Sequence, residues 1–274
     1  MTAVPETQHS QDQPRGRSTR EYWDIRHATS RPEASGTLAH SSAANEWFYR
    51  AKKNRIREIL RWSHISLKGL RVLDAACGSG QFVDFFLREG AASVLGIDFS
   101  SVAICSCKKR FAAEPKCRFG SLDLGNKLPT DMVGSFDLVC CFDAIYLLPS
   151  IKHFHNGLRN LCNALKPGGH LLISDHYPLT STKRHDDLVH HSHDVYTQIF
   201  EEGRLREIGI YLQTAVFLSP ILPSRFQRSV EIYLPWSLYV LDRLLLCFNK
   251  PITPAAERYY YLIAQKDNYA RRSV

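Results

Sequence analysis

The chain has 274 residues, 44% hydrophobic and 23% charged, which suits one α/β domain with extensions around a sizeable core. Its net charge of +8 is unevenly placed: residues 1–71 hold 13 Lys and Arg against 7 Asp and Glu, residues 72–177 hold 10 against 10, and residues 178–274 hold 12 against 10. A neutral centre argues against a nucleic-acid enzyme, which carries its basic stripe around the active face. The eight cysteines sit mostly in apolar runs, and Cys105-Ser106-Cys107 has a single spacer and no second pair, so a metal site is not expected. Met1 to Arg20 lacks the apolar run of a signal peptide, and reduced thiols in a cytoplasmic protein are the expectation.

In chain order, residues 1–20 are rich in Gln, Ser, Thr, Pro and Arg and read as a disordered tail. Residues 21–68 read as a helical extension: a Tyr-Trp-bearing segment from Glu21 to about Arg31, a loop with Pro32, Ser35 and Gly36, then a basic amphipathic helix from Glu46 to Trp62. Trp47, Ala51, Ile56, Ile59 and Leu60 form its apolar side. Residues 69–177 alternate short apolar runs with helices. Strands are expected at Val72 to Ala76, Ser93 to Ile97, Cys117 to Phe119, Phe136 to Phe142 and His170 to Ser174. Helices are expected at Gln81 to Arg88, Ser101 to about Phe111 and Ile151 to Leu165, with Lys166-Pro167-Gly168-Gly169 as a break. This alternation predicts parallel βαβ units.

Residues 178–274 are less regular: a helix from Tyr196 to Ile208 stopped at Gly209, strands at Ile210 to Leu218 and Arg258 to Ala264, and a helical insertion between them, a cap over about 219–256. Val230 to Phe248 is interrupted by Glu231, Pro235, Asp242 and Arg243 and does not read as a membrane span. Its Leu238, Leu241, Leu244, Leu245 and Phe248 form one helical stripe, read as core or pocket cover ahead of membrane-surface contact. There is no internal repeat.

The chemistry concentrates in Val72-Leu73-Asp74-Ala75-Ala76-Cys77-Gly78-Ser79-Gly80-Gln81-Phe82, a strand, a Gly-x-Gly turn and a helix start. Such glycines let backbone approach a ligand closely. A nicotinamide-type fingerprint wants a third glycine where Val83 stands, and a Walker loop wants Gly-Lys-Ser/Thr, which is absent. Pyrophosphate gives no reason for Asp74 ahead of the turn. A ligand with an ammonium group does, and the methionine part of S-adenosylmethionine (SAM) has one. The second strand ends in Asp98, placed to accept from ribose hydroxyls, and Phe99 follows it, placed for an adenine face.

These pieces, with Asp123-Leu124, Ser135-Phe136-Asp137-Leu138-Val139 and Leu165-Lys166-Pro167-Gly168-Gly169, occur in the order of a family. Over about residues 70–176 the chain resembles a class I SAM-dependent methyltransferase of the small-molecule type. The resemblance implies a Rossmann-like, mostly parallel seven-stranded sheet with an antiparallel edge strand and helices on both faces, with SAM as methyl donor and S-adenosylhomocysteine as product. It implies that Asp74, Ala76, Cys77, Gly78 and Gly80 hold the methionine part and that Asp98 takes the ribose. Asp123 would accept from the adenine amino group, Leu124 would offer its N–H, and Phe142 would lie near the sulfonium. Asp123 stands later after Gly120 than in the commonest arrangement, which keeps an ordinary loop acid open as its alternative.

Tyr22, Trp23 and Arg26 sit where family members fold an N-terminal lid over SAM; Arg26 is a candidate for a carboxylate, and packing of Trp23 on the core is the alternative. Acceptor-side candidates are Asp143 and Tyr146 after the fourth strand and Asp175-His176-Tyr177 after the fifth. His176 is the preferred base, with His191 and His193 from the His/Asp loop over 184–194 behind it, that loop being read as solvated or substrate-facing. The expected acceptor is an amphipathic or aromatic metabolite, covered by Phe217, Phe226, Tyr233, Trp236 and Tyr239, with O-methylation ahead of N- or C-methylation. A glycan or lipid-linked acceptor is the enzymatic alternative, and a non-catalytic SAM-binding module the rival from another class. No nucleic-acid partner is expected, and a homodimer is compatible.

Overall fold

In the computed structural model, residues 19–29, 32–35, 42–176, 182–185, 188–213, 235–246 and 259–268 are described. The N-terminal extension supplies α1 (Thr19–Ala28) and α2 (Ser42–Trp62). The core then alternates β1 (Arg71–Ala75), α3 (Gln81–Arg88), β2 (Ser93–Asp98), α4 (Ser101–Arg110), β3 (Cys117–Ser121), β4 (Phe136–Phe142), α5 (Ile151–Ala164) and β5 (Leu165–His176). A hairpin of β6 (Thr182–His185) and β7 (Leu188–His190) leads to α6 (His193–Glu202), β8 (Leu205–Leu212), α7 (Pro235–Leu246) and β9 (Tyr259–Lys266).

The main sheet has the order β3-β2-β1-β4-β5-β9-β8. β1 to β5 are mutually parallel, and β9 runs antiparallel to both β5 and β8. The antiparallel strand thus lies one place in from the edge, with β8 outside it. The central strands are apolar on both faces because helices cover both. Leu138, Cys140 and Phe142 join Val72, Val94, Phe85, Phe86 and Ile56 in one cluster, while Val139 and Cys141 join Leu73, Leu171, Phe154, Leu158 and Phe200 in the other. That two-residue alternation is strand geometry. Strand order reverses between β1 and β4, which opens a crevice beyond their carboxyl ends.

Several expectations need correcting. Lys166 to Gly169 is not a break: pairing with β4 begins at Leu165, shifts register between Phe136 and Leu138, and Gly168 takes φ +76 within that bulge. The helix expected to run from Tyr196 to Ile208 ends at Glu202, and Leu205 to Leu212 pair with β9 instead. Ladder bonding and burial there override local helical preference. Of the apolar stripe of the late helix, the two described side chains, Leu241 and Leu244, are not core. Asp242 and Leu246 are buried, whereas Leu241 and Leu244 are exposed. Helix α7 packs on α2, with Tyr239 against Trp47 and accepting from Asn54 Nδ2 at 2.5 Å. The side chains of Leu238 and Leu245, together with Tyr177, Phe217, Phe226, Tyr233 and Phe248, lie outside the described residues, as do residues 1–18 of the tail.

Candidate active site

A cavity of about 340 Å³ fills the crevice at the strand-order reversal. Its floor is the turn after β1, with Asp74, Ala76, Cys77 and Gly78; one wall is Asp98, Phe99, Leu122, Asp123 and Leu124. The opposite end is Phe82, Phe142, Asp143 and Tyr146, and α2 contributes Phe48, Tyr49 and Lys52. Helix α1 and Ser35 form the cover through Arg20, Tyr22, Trp23 and His27.

The turn is held by backbone donors. Gly78 N–H donates to Asp98 Oδ2 and Ser100 N–H to Asp98 Oδ1, each at 2.9 Å. Gly78 has φ +51, and a Cβ there would come within 2.2 Å of Ser35 Oγ, so only glycine lets the cover approach. Ser79 N–H donates to Ser35 Oγ at 2.9 Å, the Ser100 hydroxyl donates to Asp24, and the Arg20 guanidinium donates to the Phe99 carbonyl. Three separate bonds therefore draw the N-terminal extension over the site, one to the turn after β1 and two to the junction of β2 and α4. Ala76 and Asp143, the first residues past β1 and β4, both take positive φ, 58 and 52. Each such non-glycine conformation costs about 1–3 kcal/mol and persists where the surroundings over-determine it.

The two ends differ electrostatically. Asp74 is 1% exposed, and its Oδ2 has no hydrogen-bond partner. Burial, then the neighbouring Asp98, pushes its carboxyl up to about 8. Burial also raises Asp98, offset in part by the N–H bonds from Ser100 and Gly78. At the far end Lys52, 4% exposed in its side chain, donates to Asp143 Oδ2. Asp143 Oδ1 accepts from Ser174 Oγ and Gln213 Nε2, both at 2.7 Å. Burial pushes Asp143 up, but Lys52, Ser174 and Gln213 outweigh it and hold the carboxyl below its usual range. The rings of Phe48, Tyr49 and Phe82 surround the Lys52 ammonium at 5.0, 5.5 and 5.3 Å.

Residues 72–169 match the family described as a methyltransferase domain. By that match residues 72–169 are a methyltransferase domain. The chain is 34% identical over 117 residues, 42% of its length, to a phthiotriol/phenolphthiotriol dimycocerosates methyltransferase of Mycobacterium leprae, and 29% identical over 122 residues, 41% of its length, to a tRNA U34 carboxymethyltransferase of Pseudomonas fluorescens. These alignments span only 41% and 36% of the relatives' own lengths. Magnesium protoporphyrin IX methyltransferase from Synechocystis, solved with bound S-adenosylhomocysteine, superposes with a TM-score of 0.56 over 90% of this chain and 98% of its own. At 14% identity that is a likeness of fold.

The cavity of this methyltransferase domain fits SAM on its own observations. An orphaned buried carboxylate oxygen at Asp74 suits the ligand's ammonium. Asp98 faces the cavity with both oxygens held by one backbone donor each, leaving further acceptor sites. Asp123 Oδ1 accepts from Gly125 N–H at 3.0 Å, an Asx turn that aims the acid at the cavity.

Of the residues singled out by sequence, Tyr22, Asp74, Ala76, Cys77, Gly78, Asp98, Phe99, Asp123, Leu124, Phe142, Asp143 and Tyr146 line the cavity. Gly80 does not: at φ +75 it starts α3 and backs onto Phe111 and Cys107. Arg26 does not either, being buried over Trp23 and donating to the Tyr22 hydroxyl at 3.2 Å. His176 is buried away from the cavity. Its ring lies 4.9 Å from that of His190, which in turn lies 4.9 Å from Tyr146. The 184–194 segment is not simply a solvated loop. His190 is buried beside Asp175, Nδ1 to Oδ1 3.6 Å; His191 stacks on Phe154 at 3.8 Å; and His193 opens α6, bonded to Glu207 at 2.6 Å. Asp186 and Asp187 lie outside the described residues. Sequence reasoning missed Lys52, Phe48, Tyr49, His27 and Ser35. Lys52 had a signal: it falls on the same helical stripe as Phe48, Tyr49, Ile56 and Ile59, where a lysine needs a partner.

Proposed function

We propose that the protein transfers the methyl group of SAM to a small amphipathic or aromatic acceptor, with oxygen as the favoured acceptor atom. The observation that carries this reading is the acceptor end of the cavity, where aromatic walls surround an ion pair already neutral in itself. Bound SAM supplies an activated methyl group on a sulfonium. The chain's own residues bind, orient and exclude water. Asp74 takes the ligand's ammonium, Asp98 the ribose hydroxyls, and Asp123 with the Leu124 N–H the adenine edge. Helix α1 covers the donor through Tyr22 and Trp23. Phe142 and Phe82 form the passage to the acceptor. Asp143, ionised and bound to Lys52, is a poor base, so its part is to fix the ammonium. Lys52 then faces an acceptor oxygen and favours its deprotonated form, while Tyr146 orders the acceptor ring.

A second reading, a lipid-linked acceptor, draws support from the dimycocerosate methyltransferase relative and from the apolar outer face of α7. Two measurements test the proposal. Titration calorimetry with SAM and S-adenosylhomocysteine tests donor binding, and labelled SAM with a panel of phenols, carboxylates, amines, isoprenoid lipids and RNA tests transfer. Failure of the folded protein to bind SAM sinks the reading. Transfer to RNA alone replaces the acceptor class, and binding without any transfer favours a regulatory module.

A further inference from the structure

Helix α7 turns an apolar face outward. Trp236, Val240, Leu241 and Leu244 are 38% to 62% exposed and recur at i, i+4, i+5 and i+8, which places them on one side of the helix. The other side carries Tyr239, Asp242 and Leu246 and packs on α2, where Arg243 meets Glu58. Beside α7 a groove of about 670 Å³ runs between α2 and α3, lined by Arg50, Lys53, Arg57 and Arg88. The acids there are Glu46 and Asp84 in the groove and Glu89 nearby. Asp84 engages Arg88 at 3.1 Å and Glu89 engages Arg57 at 2.7 Å, so cations remain in excess. Crowding is felt at Lys53, whose ammonium is held below its usual pKa by burial and by Arg110, Arg88 and Arg57, against the opposing pull of Asp84. The groove reaches α7 at Tyr239, on the side that packs on α2: the Arg50 guanidinium lies 4.6 Å over Trp47, and Trp47 packs 5.3 Å from Tyr239.

We propose that α7 and this groove together form a docking surface for an anionic phospholipid bilayer. Trp236, Val240, Leu241 and Leu244 would enter the headgroup–acyl boundary, and Arg50, Lys53 and Arg57 would meet lipid phosphates. An outward apolar helix face flanked by cations is the pattern of an in-plane interfacial helix. Charge decides among occupants. A second copy would bring the same cations against this surface, whereas an anionic bilayer complements both the helix and its basic flank. Among the described residues no helix is long and apolar enough to cross a membrane, so the contact is to its surface. The surface lies apart from the methyl-transfer cavity and does not depend on which acceptor is used.

The test is co-sedimentation of the full chain with phosphatidylcholine vesicles made with and without phosphatidylglycerol. The protein is expected to pellet with the anionic vesicles only, and less so as salt rises. Arg50→Glu with Lys53→Glu should weaken partition more than tenfold, about fivefold for each cation lost. Trp236→Ser with Leu244→Ser should weaken it about tenfold, and both variants should keep wild-type SAM affinity. The proposal is overturned by no partition onto anionic vesicles or by partition indifferent to both double substitutions. It is equally overturned by a Trp236-dependent dimer, which would make the face a self-association surface, or by binding of glycerol phosphate without binding of vesicles. Absence of methyl transfer to every acceptor would sink the proposed reaction and leave this result standing.

Discussion

Asp74 at the end of β1 and Asp143 just past the end of β4 stand on neighbouring strands, yet their surroundings differ. Asp74 is sealed from water beside Asp98, with one oxygen unpartnered, and its carboxyl is pushed up to about 8. Asp143 binds Lys52, Ser174 and Gln213 and is held below the usual carboxylate range. The donor end is therefore incomplete without a cationic ligand, whereas the acceptor end has neutralised itself. On the proposed function, charge would select the ligand at the first, and at the second shape and aromatic contact would select it around the Lys52 ammonium.

The hardest blow to this contrast is Gly78→Val. A side chain there meets Ser35 Oγ and must adopt φ +51, so the cover can no longer close over the turn. SAM affinity should fall at least about a hundredfold from strain and clash together, read by titration calorimetry. Binding that survives would move the donor site elsewhere. Next comes Asp74→Asn. Losing a charge-assisted bond of about 1.5–3 kcal/mol should weaken SAM about 10- to 100-fold, while melting temperature holds or rises because a buried, unpartnered acid is gone. The sign with pH follows from the raised pKa. Between the ordinary 3.8 and about 8 the folded protein binds a proton that the unfolded chain releases, so this group costs stability progressively as pH rises through that window. The Asn variant should lack that slope. SAM binding at pH 7 should release protons, measured as a dependence of binding heat on the buffer, and the Asn variant should lose that dependence.

Much of the donor end was legible because its signals are local. The Gly-x-Gly turn, Asp74 before it and Asp98 after the next strand are each tied to strand ends by short spacing. The sheet from β1 to β5 was legible for the same reason, through apolar runs alternating with helices. The acceptor end was legible only in Phe142, Asp143 and Tyr146, because the partners that set its charge come from far apart: Lys52 reaches Asp143 across 91 residues, and Gln213 reaches it across 70. Residues 205–208 misled for a related reason. They continue a helical pattern locally and become strand only because β9, more than fifty residues later, supplies a ladder. The outward face of α7 was unreadable in principle, since an apolar stripe states that burial is favourable but not what does the burying.

The acceptor end is tested by Lys52→Met. It leaves Asp143 ionised without its cation; the partly exposed carboxylate limits the cost to about 1–3 kcal/mol, less than the usual penalty for breaking a fully buried pair. Turnover should fall about 10- to 100-fold with SAM affinity within about threefold, and adding Asp143→Asn should recover stability without recovering turnover. A fall in SAM affinity as large as that of Asp74→Asn would erase the distinction between the two ends. The smallest effect is expected at His176→Ala. Its ring is two rings removed from the cavity, behind His190 and Tyr146, and the Asp175 carboxylate beside it already accepts from Tyr196 and the His176 N–H. The substitution should therefore lower melting temperature through lost packing, while turnover stays within about threefold and its pH profile keeps its shape. A loss above tenfold with SAM affinity intact, joined to the disappearance of a titration near neutrality, would instead bring this histidine to the acceptor. The acceptor end would then carry a base of its own in place of the Lys52–Asp143 pair.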